Sequence, residues 1–474
     1  MPPSIATVFF FALIAAMFAL DRDRRAHTSP ALWIPVSWLL IIASRPLSSW
    51  MAVIGLGQAA ELDRPDQLIE GSPTDRVGFL ILIALATVVV ALRRTSVMKL
   101  VRSNAWAMLF LAYCFVSTLW ADYPDVAFKR WIKALGDFMM IAIVITERDP
   151  AAAVKRLLVR TGFILVPLSV LFIKFFPQFG RAYHIWSWTP MYTGVTLTKN
   201  MLGVMCLVVG VGSLWCLLNA LSEYRGMARS RHVLAHMLML SMVVWLLWMA
   251  NSMTSIMCLS IAGATIIAAC SRFITRHPAF IHVMVAGVVI GCSVVLFMED
   301  ATGALSTLGR DPTFTGRTGI WSMVISMSEN PVIGAGFESF WTGERLEEMW
   351  RIDHGAFRGI QSAHNGYLEV YLNIGIAGVV LLAMLLAASY RMITRALRHD
   401  PRQNKLGLAF FVVALVYNFS EAGFRMVTPI WFVLMLGIMM STLSKRPFSR
   451  LPLPQTTRIQ TPPVWTDASL VAHE

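Results

Sequence analysis

Residues 201–220 read MLGVMCLVVGVGSLWCLLNA, a stretch that contains no charged side chain. A helix of about 20 residues is about 30 Å long, which matches the thickness of the hydrocarbon layer of a bilayer. Apolar runs of similar length recur from end to end of the 474-residue chain. The sequence therefore predicts an all-α integral membrane protein that crosses the bilayer many times.

The amino-acid composition indicates the same class of protein. Hydrophobic residues make up 57% of the chain, charged residues make up 14%, and the mean hydropathy is +0.63, which is unusual for a soluble protein. A transmembrane β-barrel would show short segments of alternating polarity instead. The formal charge of +13 is spread over many loops, so it does not indicate a nucleic-acid partner.

The apolar runs predict a polytopic helical bundle of about 12–13 transmembrane helices. The predicted spans are 3–20, 32–55, 77–92, 104–120, 134–147, 157–175, 201–220, 233–250, 253–271, 280–298, 367–390, 407–421 and 427–444. The first run lacks a basic start and an AxA-like cleavage site, so we interpret it as a span and not as a signal peptide. We predict one membrane domain over 1–450 with a large extracytoplasmic loop at 299–366, followed by a disordered cytoplasmic tail at 451–474.

The six cysteines all lie in apolar runs, and none of them shows CxxC spacing. This pattern indicates neither a disulfide framework nor a zinc site. We predict no metal site and no cofactor.

Lysine and arginine concentrate in alternate loops, and this pattern predicts the orientation of the chain. Positive charge in short loops favours the cytoplasm, and the basic loops follow the odd-numbered spans. The N-terminus and the 299–366 loop are then outside, and the C-terminus is inside. A version with twelve spans and both termini inside stays open.

Some of the outward loops carry positive charge against this rule. Arg130, Arg181 and Lys199 lie in such loops, beside aromatic residues. The charges can simply be solvated, or they can bind an anionic ligand at the outer face. Because they cluster in a few aromatic-rich loops, we favour the second interpretation and take these three residues as candidate binding residues.

The longest polar segment of the chain, 299–366, contains Arg317 at the start of RTGIWSMVISMSEN. The apolar residues of that motif fall on one face of a helix, so we predict an amphipathic helix at the membrane surface. Arg317 would occupy its first turn, where a guanidinium and the backbone amides can bind a phosphate. Alternatively, Arg317 reaches toward water or pairs with Glu344 or Asp353.

The segment SAHNGYLEVYLNIG at 362–375 leads into the next span, and we expect its serine to cap that helix. Imidazole exchanges a proton near neutral pH, so His364 is a candidate general base, although it can also be a structural residue. Asn365 and Glu369 can orient His364 or a sugar. Glu421, at the outer end of a later span, can neutralise a cation or act as a second acid–base group.

Several motifs together resemble the O-antigen ligase/polymerase superfamily. The segments that carry the resemblance are STLWADYPDVAFKR (117–130), GVTLTKNMLG (194–203), GRTGIW (316–321), NPVIGAGFESFW (330–341), AHNGYLEVYLNIGIAG (363–378) and YNFSE (417–421). The resemblance covers roughly 110–425, and its motifs are most similar to those of the exopolysaccharide polymerases.

The resemblance implies a metal-independent, GT-C-like inverting glycosyltransferase of the bacterial inner membrane, with a periplasmic active face. Its donor would be a glycan on undecaprenyl diphosphate. The acceptor glycan would be another lipid-linked repeat unit in a polymerase, or lipid A-core in an O-antigen ligase. Membrane lipid, a chain-length regulator and a flippase are the further partners that the resemblance implies.

Carried over residue by residue, the resemblance gives Arg317 the diphosphate-binding role, His364 the role of general base, and Lys199 a second phosphate contact. Many ligases have arginine where Lys199 stands, which favours a polymerase. The chemistry agrees, because a diphosphate leaving group needs charge stabilisation while the acceptor hydroxyl needs a base. A lipid-linked sugar flippase is the alternative of another class, but the sequence shows no internal repeat of the kind common in transporters.

Overall fold

The computed structural model describes residues 1–23, 27–56, 71–183, 188–302, 315–352 and 360–443. The helices are α1 (Pro3–Leu20), α2 (Trp33–Ile42), α3 (Leu47–Val53), α4 (Pro73–Leu92), α5 (Arg94–Ser103), α6 (Ala105–Val116), α7 (Pro124–Ile145), α8 (Pro150–Phe175), α9 (Pro177–Gly180), α10 (Lys199–Glu223), α11 (Gly226–Ala250), α12 (Met253–Cys270), α13 (Arg272–Arg276), α14 (Pro278–Thr302), α15 (Thr315–Ser326), α16 (Gly343–Arg351), α17 (Gly366–His399), α18 (Pro401–Tyr417) and α19 (Pro429–Met440). Two short strands, β1 (Arg181–Tyr183) and β2 (Pro190–Tyr192), pair antiparallel. The tail predicted at 451–474 lies outside the described residues.

The all-α polytopic membrane class is confirmed. Seven of the described helices are long and apolar enough to cross a membrane, namely α1, α4, α8, α10, α11, α12 and α17. The number rises to nine if two bent helix pairs, Pro30–Ile42 with Leu47–Val53 and Arg94–Ser103 with Ala105–Trp120, each count as one span. The prediction of 12–13 spans is higher, although every predicted span overlaps a helix.

The difference in span number has identifiable causes. The two bent pairs turn by 79° and 91°, so a continuous apolar run does not correspond to a straight helix there. The helix α19 has only 12 residues, and α7 carries Lys129, Arg130, Lys133 and Asp137 along its length. Hydropathy cannot register the bends or the early end of α19, because it measures composition and not helix continuity.

Several helices begin with the same capping arrangement. Asp149, Asp400 and Thr428 each precede a proline at the first position of α8, α18 and α19, and each side chain accepts a hydrogen bond from a backbone amide in the first turn. Proline lacks an N–H group that would otherwise be unsatisfied at that position, and the capping side chain satisfies another amide. Thr198 caps α10 in the same way without a proline.

The helix α10, which contains the run 201–220, lies at the centre of the bundle. In its most apolar stretch 78% of the residues are buried, whereas only 6% are buried in the corresponding stretch of α4. It packs against α8, α11, α12, α18 and α19. Because most of α10 is buried among these helices, the bundle holds its N-terminus in place, and that end contributes to the candidate site.

The helix α17 is broken near its start. Gly375 has φ 68° and ψ −171°, which interrupts the helical hydrogen bonds. The loop at 330–337 inserts at this break. There the amides of Ile376 and Ala377 donate to the carbonyl oxygens of Pro331 and Val332, at 2.9 and 3.1 Å. The loop thus supplies acceptors that a continuous helix would have provided.

The segment after Arg317 forms a helix, α15, as predicted. Together with α16 and the start of α17 it encloses a small apolar core separate from the main bundle. The buried members of this core are Ile320, Val324, Phe340, Trp341, Leu346, Met349, Ala363 and Leu372. We call α15, α16 and the described segments between α15 and α17 the cap. The placement of the 299–366 loop outside the cytoplasm stays a prediction, and parts of that loop lie beyond the described residues.

We predict that Gly375→Ala destabilises the protein by about 2–4 kcal/mol, because it adds backbone strain and overpacks the break. A Cβ at Gly375 would lie 2.2 Å from the carbonyl oxygen of Val332, and φ is positive there. The measurement is the midpoint of thermal unfolding in detergent. Gly291→Ala is the matched control, since a Cβ at Gly291 in α14 meets nothing within 4 Å. Equal midpoints for the two variants would contradict the prediction.

Candidate active site

His364 lies immediately before α17, and its imidazole contacts a carboxylate from another helix end. The distance from His364 Nδ1 to Glu421 Oε2 is 3.0 Å. The other oxygen, Glu421 Oε1, accepts a hydrogen bond from Asn200 Nδ2 at 3.2 Å. Asn200 belongs to the first turn of α10, and Glu421 follows the C-terminus of α18. Three helix ends therefore meet at one carboxylate.

The imidazole of His364 is accessible while its partner is largely enclosed. The side chain of His364 is 38% exposed and that of Glu421 is 13% exposed. His364 also has a positive φ of 49°, which is uncommon for a residue other than glycine. A strained backbone of this kind persists only where the surrounding contacts impose it. The imidazole can thus reach a ligand while its backbone is held in place.

Asn365, not the expected serine, caps α17. Its Oδ1 accepts hydrogen bonds from the amides of Tyr367 and Leu368, at 3.0 and 3.1 Å, and its Nδ2 lies 3.4 Å from the carbonyl oxygen of Phe419. Ser362 Oγ instead accepts a hydrogen bond from the amide of His364 at 3.1 Å. The expected cap at Ser362 was wrong because a side chain one residue before the helix is better placed to reach its first amides.

Glu369 is only 1% exposed, and both of its carboxylate oxygens are engaged within the protein. Oε1 accepts a hydrogen bond from the amide of Ala363 at 2.7 Å, and Oε2 accepts one from Trp341 Nε1 at 2.8 Å. Glu369 therefore holds the backbone just before His364. This geometry favours the orienting role among the two that the sequence left open.

The backbone of Arg317 lies in the first turn of α15, whereas its side chain lies outside the described part of the structure. Trp321 follows it one turn later, about 6 Å along the helix axis. Trp321 Nε1 donates a hydrogen bond to the carbonyl oxygen of Ala363 at 2.8 Å. The helix that begins near Arg317 is therefore attached to the residue that precedes His364.

Lys199 is the first residue of α10 and is exposed. It directly precedes Asn200, which binds Glu421, so its backbone lies close to the same carboxylate. A cation at a helix N-terminus adds to the positive end of the helix dipole and to the amides that point outward there. This end of α10 can bind an anion.

Arg181 and Arg130, the other predicted cations, bind protein carbonyl groups. Arg181 Nε and Nη2 donate to the carbonyl oxygen of Ile173, at 3.0 and 2.8 Å, near the C-terminus of α8. Arg130 Nη1 donates to the carbonyl oxygen of Glu338. These contacts give both guanidinium groups structural partners in the loops around the site.

Two arginines that the sequence did not single out organise these loops. Arg45 is 6% exposed and lies in the break between α2 and α3. Its guanidinium donates to carbonyl oxygens of Phe179 and of the segment 194–196, which precedes α10. An arginine inside the apolar run 32–55 was the available signal. Arg425 is the second of these arginines, and it follows Glu421 by four residues.

Comparisons with known proteins show which proteins this chain is similar to. The model of the O-antigen ligase family matches residues 236–383, which include Arg317, His364 and the break in α17. The chain is 23% identical over 340 residues to the exopolysaccharide production protein ExoQ of Rhizobium meliloti, covering 69% of this chain and 74% of that protein. It is also 23% identical over 287 residues to a putative polysaccharide ligase of Rickettsia felis, covering 59% of this chain and 65% of that protein.

We predict that Glu369→Ala lowers the free energy of unfolding by about 2–5 kcal/mol, because it leaves two buried N–H donors without an acceptor. Glu369→Gln keeps one acceptor oxygen and should cost less. The measurement is thermal unfolding in detergent. Glu347→Ala, at an exposed position of α16, is the control and should change stability by at most about 0.5 kcal/mol. An unchanged midpoint for Glu369→Ala would show that the two bonds contribute nothing.

Proposed function

Because the chain belongs to the O-antigen ligase/polymerase superfamily, we propose that it polymerises oligosaccharide repeat units carried on undecaprenyl diphosphate into a surface polysaccharide or exopolysaccharide. The observation that carries the proposal is the pair formed by His364 and Glu421 beside the helix that begins near Arg317. The pair offers a base, and the helix offers an anion-binding end. A glycosyl transfer from a lipid diphosphate needs both.

In the proposed reaction, an acceptor hydroxyl attacks the anomeric carbon of the lipid-linked donor. The hydroxyl proton passes to His364 as the new glycosidic bond forms. The bond between the anomeric carbon and the diphosphate oxygen breaks, and its electron pair leaves with undecaprenyl diphosphate. A single displacement of this kind inverts the anomeric configuration, and the diphosphate needs no proton to leave.

The contact with Glu421 fits His364 to the role of base. A carboxylate at Nδ1 favours the tautomer that carries hydrogen on Nδ1, so Nε2 becomes the nitrogen that takes the proton. The carboxylate also stabilises the imidazolium that results, as the aspartate does in hydrolase triads. Asn200 holds the second oxygen of Glu421 and so keeps the carboxylate oriented.

The positive end of the site would bind the diphosphate. In our proposal Arg317 and the amides of the first turn of α15 contact the diphosphate, and Lys199 at the start of α10 is a second contact. Asn365 orients the His364 segment. In our proposal Arg130 and Arg181, whose guanidinium groups also bind protein carbonyl oxygens, add positive charge near the substrate.

The proposal places the protein in the bacterial inner membrane with this end facing the periplasm. The basic loops at the opposite ends of the helices support that orientation. Lipid-linked repeat units would arrive from a flippase, and a chain-length regulator would act on the growing polymer. The donor bond supplies the free energy, so the proposed reaction requires neither nucleotide nor metal.

Transfer of the glycan to lipid A-core is the second candidate function. The description of the matching family and the name of the Rickettsia felis relative favour it. The name of the Rhizobium meliloti relative and the lysine at Lys199 favour the polymerase. Purified protein in detergent, given a lipid-linked oligosaccharide with and without lipid A-core, distinguishes the two. A ladder of longer lipid-linked products indicates a polymerase, and label found only on lipid A-core indicates a ligase.

We predict that His364→Ala and Arg317→Ala each reduce product formation by at least about 100-fold. The first variant lacks the base, and the second lacks the positive charge that stabilises the diphosphate leaving group. Lipid-linked repeat units should accumulate in cells that carry either variant. Arg351→Ala, at an exposed position of α16, is the control with unchanged product. Full product from the His364 variant at a normal membrane level of protein would overturn the proposed mechanism.

We predict that Glu421→Gln lowers kcat by about 10²–10⁴ while KM for the lipid-linked donor changes little. The amide keeps the size of the side chain, but it cannot stabilise an imidazolium by charge. The measurement is steady-state turnover of a labelled donor by purified protein. Glu347→Gln is the matched control on the surface of α16. A rise in KM without a fall in kcat would instead assign Glu421 to substrate binding.

A further inference from the structure

Arg425 lies in the turn between α18 and α19 and joins two separate segments of the cap. Its Nε and Nη2 lie 3.2 and 2.8 Å from Glu338 Oε2. Its Nη1 donates a hydrogen bond to the carbonyl oxygen of Gln361 at 3.3 Å. Each of the three guanidinium nitrogens therefore contacts the protein. The side chains of Arg425 and Glu338 are 33% and 14% exposed, so the ion pair is partly shielded from water.

Glu338 fixes one end of this connection. It closes the loop that inserts into the break of α17, and it has a positive φ of 51°. Its carbonyl oxygen accepts a hydrogen bond from Arg130, so the backbone is restrained as well as the side chain. The carboxylate of Glu338 raises the pKa of Arg425 above its ordinary value, which keeps the guanidinium charged at any physiological pH.

The other end of the connection is the segment 361–363, which leads directly to His364. Side chains from three different elements hold its backbone. Arg425 binds the carbonyl oxygen of Gln361, Glu369 accepts from the amide of Ala363, and Trp321 donates to the carbonyl oxygen of Ala363. The direction in which the imidazole of His364 points depends on this backbone, since His364 itself has a left-handed conformation.

We propose that Arg425 is a positioning residue for His364. Through Glu338 and Gln361 it ties the loop in the broken helix to the segment that carries the base. The inference rests on the proposed function of His364. Each nitrogen of the guanidinium already contacts a protein acceptor, and these contacts assign Arg425 to the geometry of the base rather than to the diphosphate. A misplacement of the base by about 1 Å can cost about 100-fold in rate.

Arg425→Lys and Glu338→Gln test this arrangement with small changes in volume. Lysine keeps the charge, but its single ammonium cannot contact Glu338 and Gln361 in the same fork. We expect kcat to fall about 10–100-fold in each variant while KM for the lipid-linked donor stays within about 3-fold. Arg351→Lys, on the surface of α16, is the matched control with unchanged kinetics.

The double variant Glu338→Gln/Arg425→Lys should be no slower than either single variant, since both remove the same connection. The split between kcat and KM gives a readout that a purely structural role would not move. Thermal unfolding in detergent establishes that each variant is folded before its kinetics are compared.

Several outcomes would overturn the positioning role. Unchanged kcat in both single variants, an additive loss in the double variant, or a rise in KM of about 10-fold with kcat unchanged would each do so. The last result would make Arg425 a ligand of the diphosphate. The failure of the proposed function is a separate outcome, because it is read from His364→Ala. A fully active His364→Ala variant would show that His364 is not the base. An inactive His364→Ala variant together with fully active Arg425 variants would contradict only the positioning role of Arg425.

Discussion

The constraint that governs this structure is the need to pair backbone polar groups inside an apolar bundle, where an unpaired amide costs several kcal/mol. The helix α17 breaks at Gly375, and the interruption persists because Pro331 and Val332 supply carbonyl acceptors. The helix also supplies an acceptor to the loop, because the amide of Ala335 donates to the carbonyl oxygen of Leu372 at 3.0 Å. The loop is therefore held from both sides, and it attaches the cap to α17.

The same requirement explains why the residues of the candidate site lie at helix ends. Helix termini leave unpaired amides and carbonyl groups, which attract polar side chains that the middle of a span excludes. Asn365 and Thr198 cap two of these ends, and Glu421 is bound by residues from both. Polar groups collect where these apolar helices stop, and the candidate site lies at this end of the bundle.

Local features of the sequence were sufficient to predict the position of most long helices, whereas long-range contacts were not predictable. The apolar run at 201–220 and the motif after Arg317 each gave the correct helix because length and periodicity are local properties. The break in α17 was missed because residues 367–390 are apolar on both sides of Gly375. Arg425 was missed for another reason: its partners Glu338 and Gln361 lie 87 and 64 residues away along the chain.

Glu369 and Glu421 both lie near His364, but they differ in burial and in the groups that they contact. The amino-acid sequence alone does not show this difference. Glu369 is buried, and its two oxygens accept hydrogen bonds from the neutral N–H groups of Ala363 and Trp341. It therefore holds the backbone before His364 in place. Glu421 is partly exposed and contacts an imidazole and one amide group. In the proposed mechanism, Glu421 touches the group that changes charge during proton transfer. A positive charge that forms on His364 is therefore met by a carboxylate already in place, which is the condition under which electrostatic stabilisation needs little reorganisation.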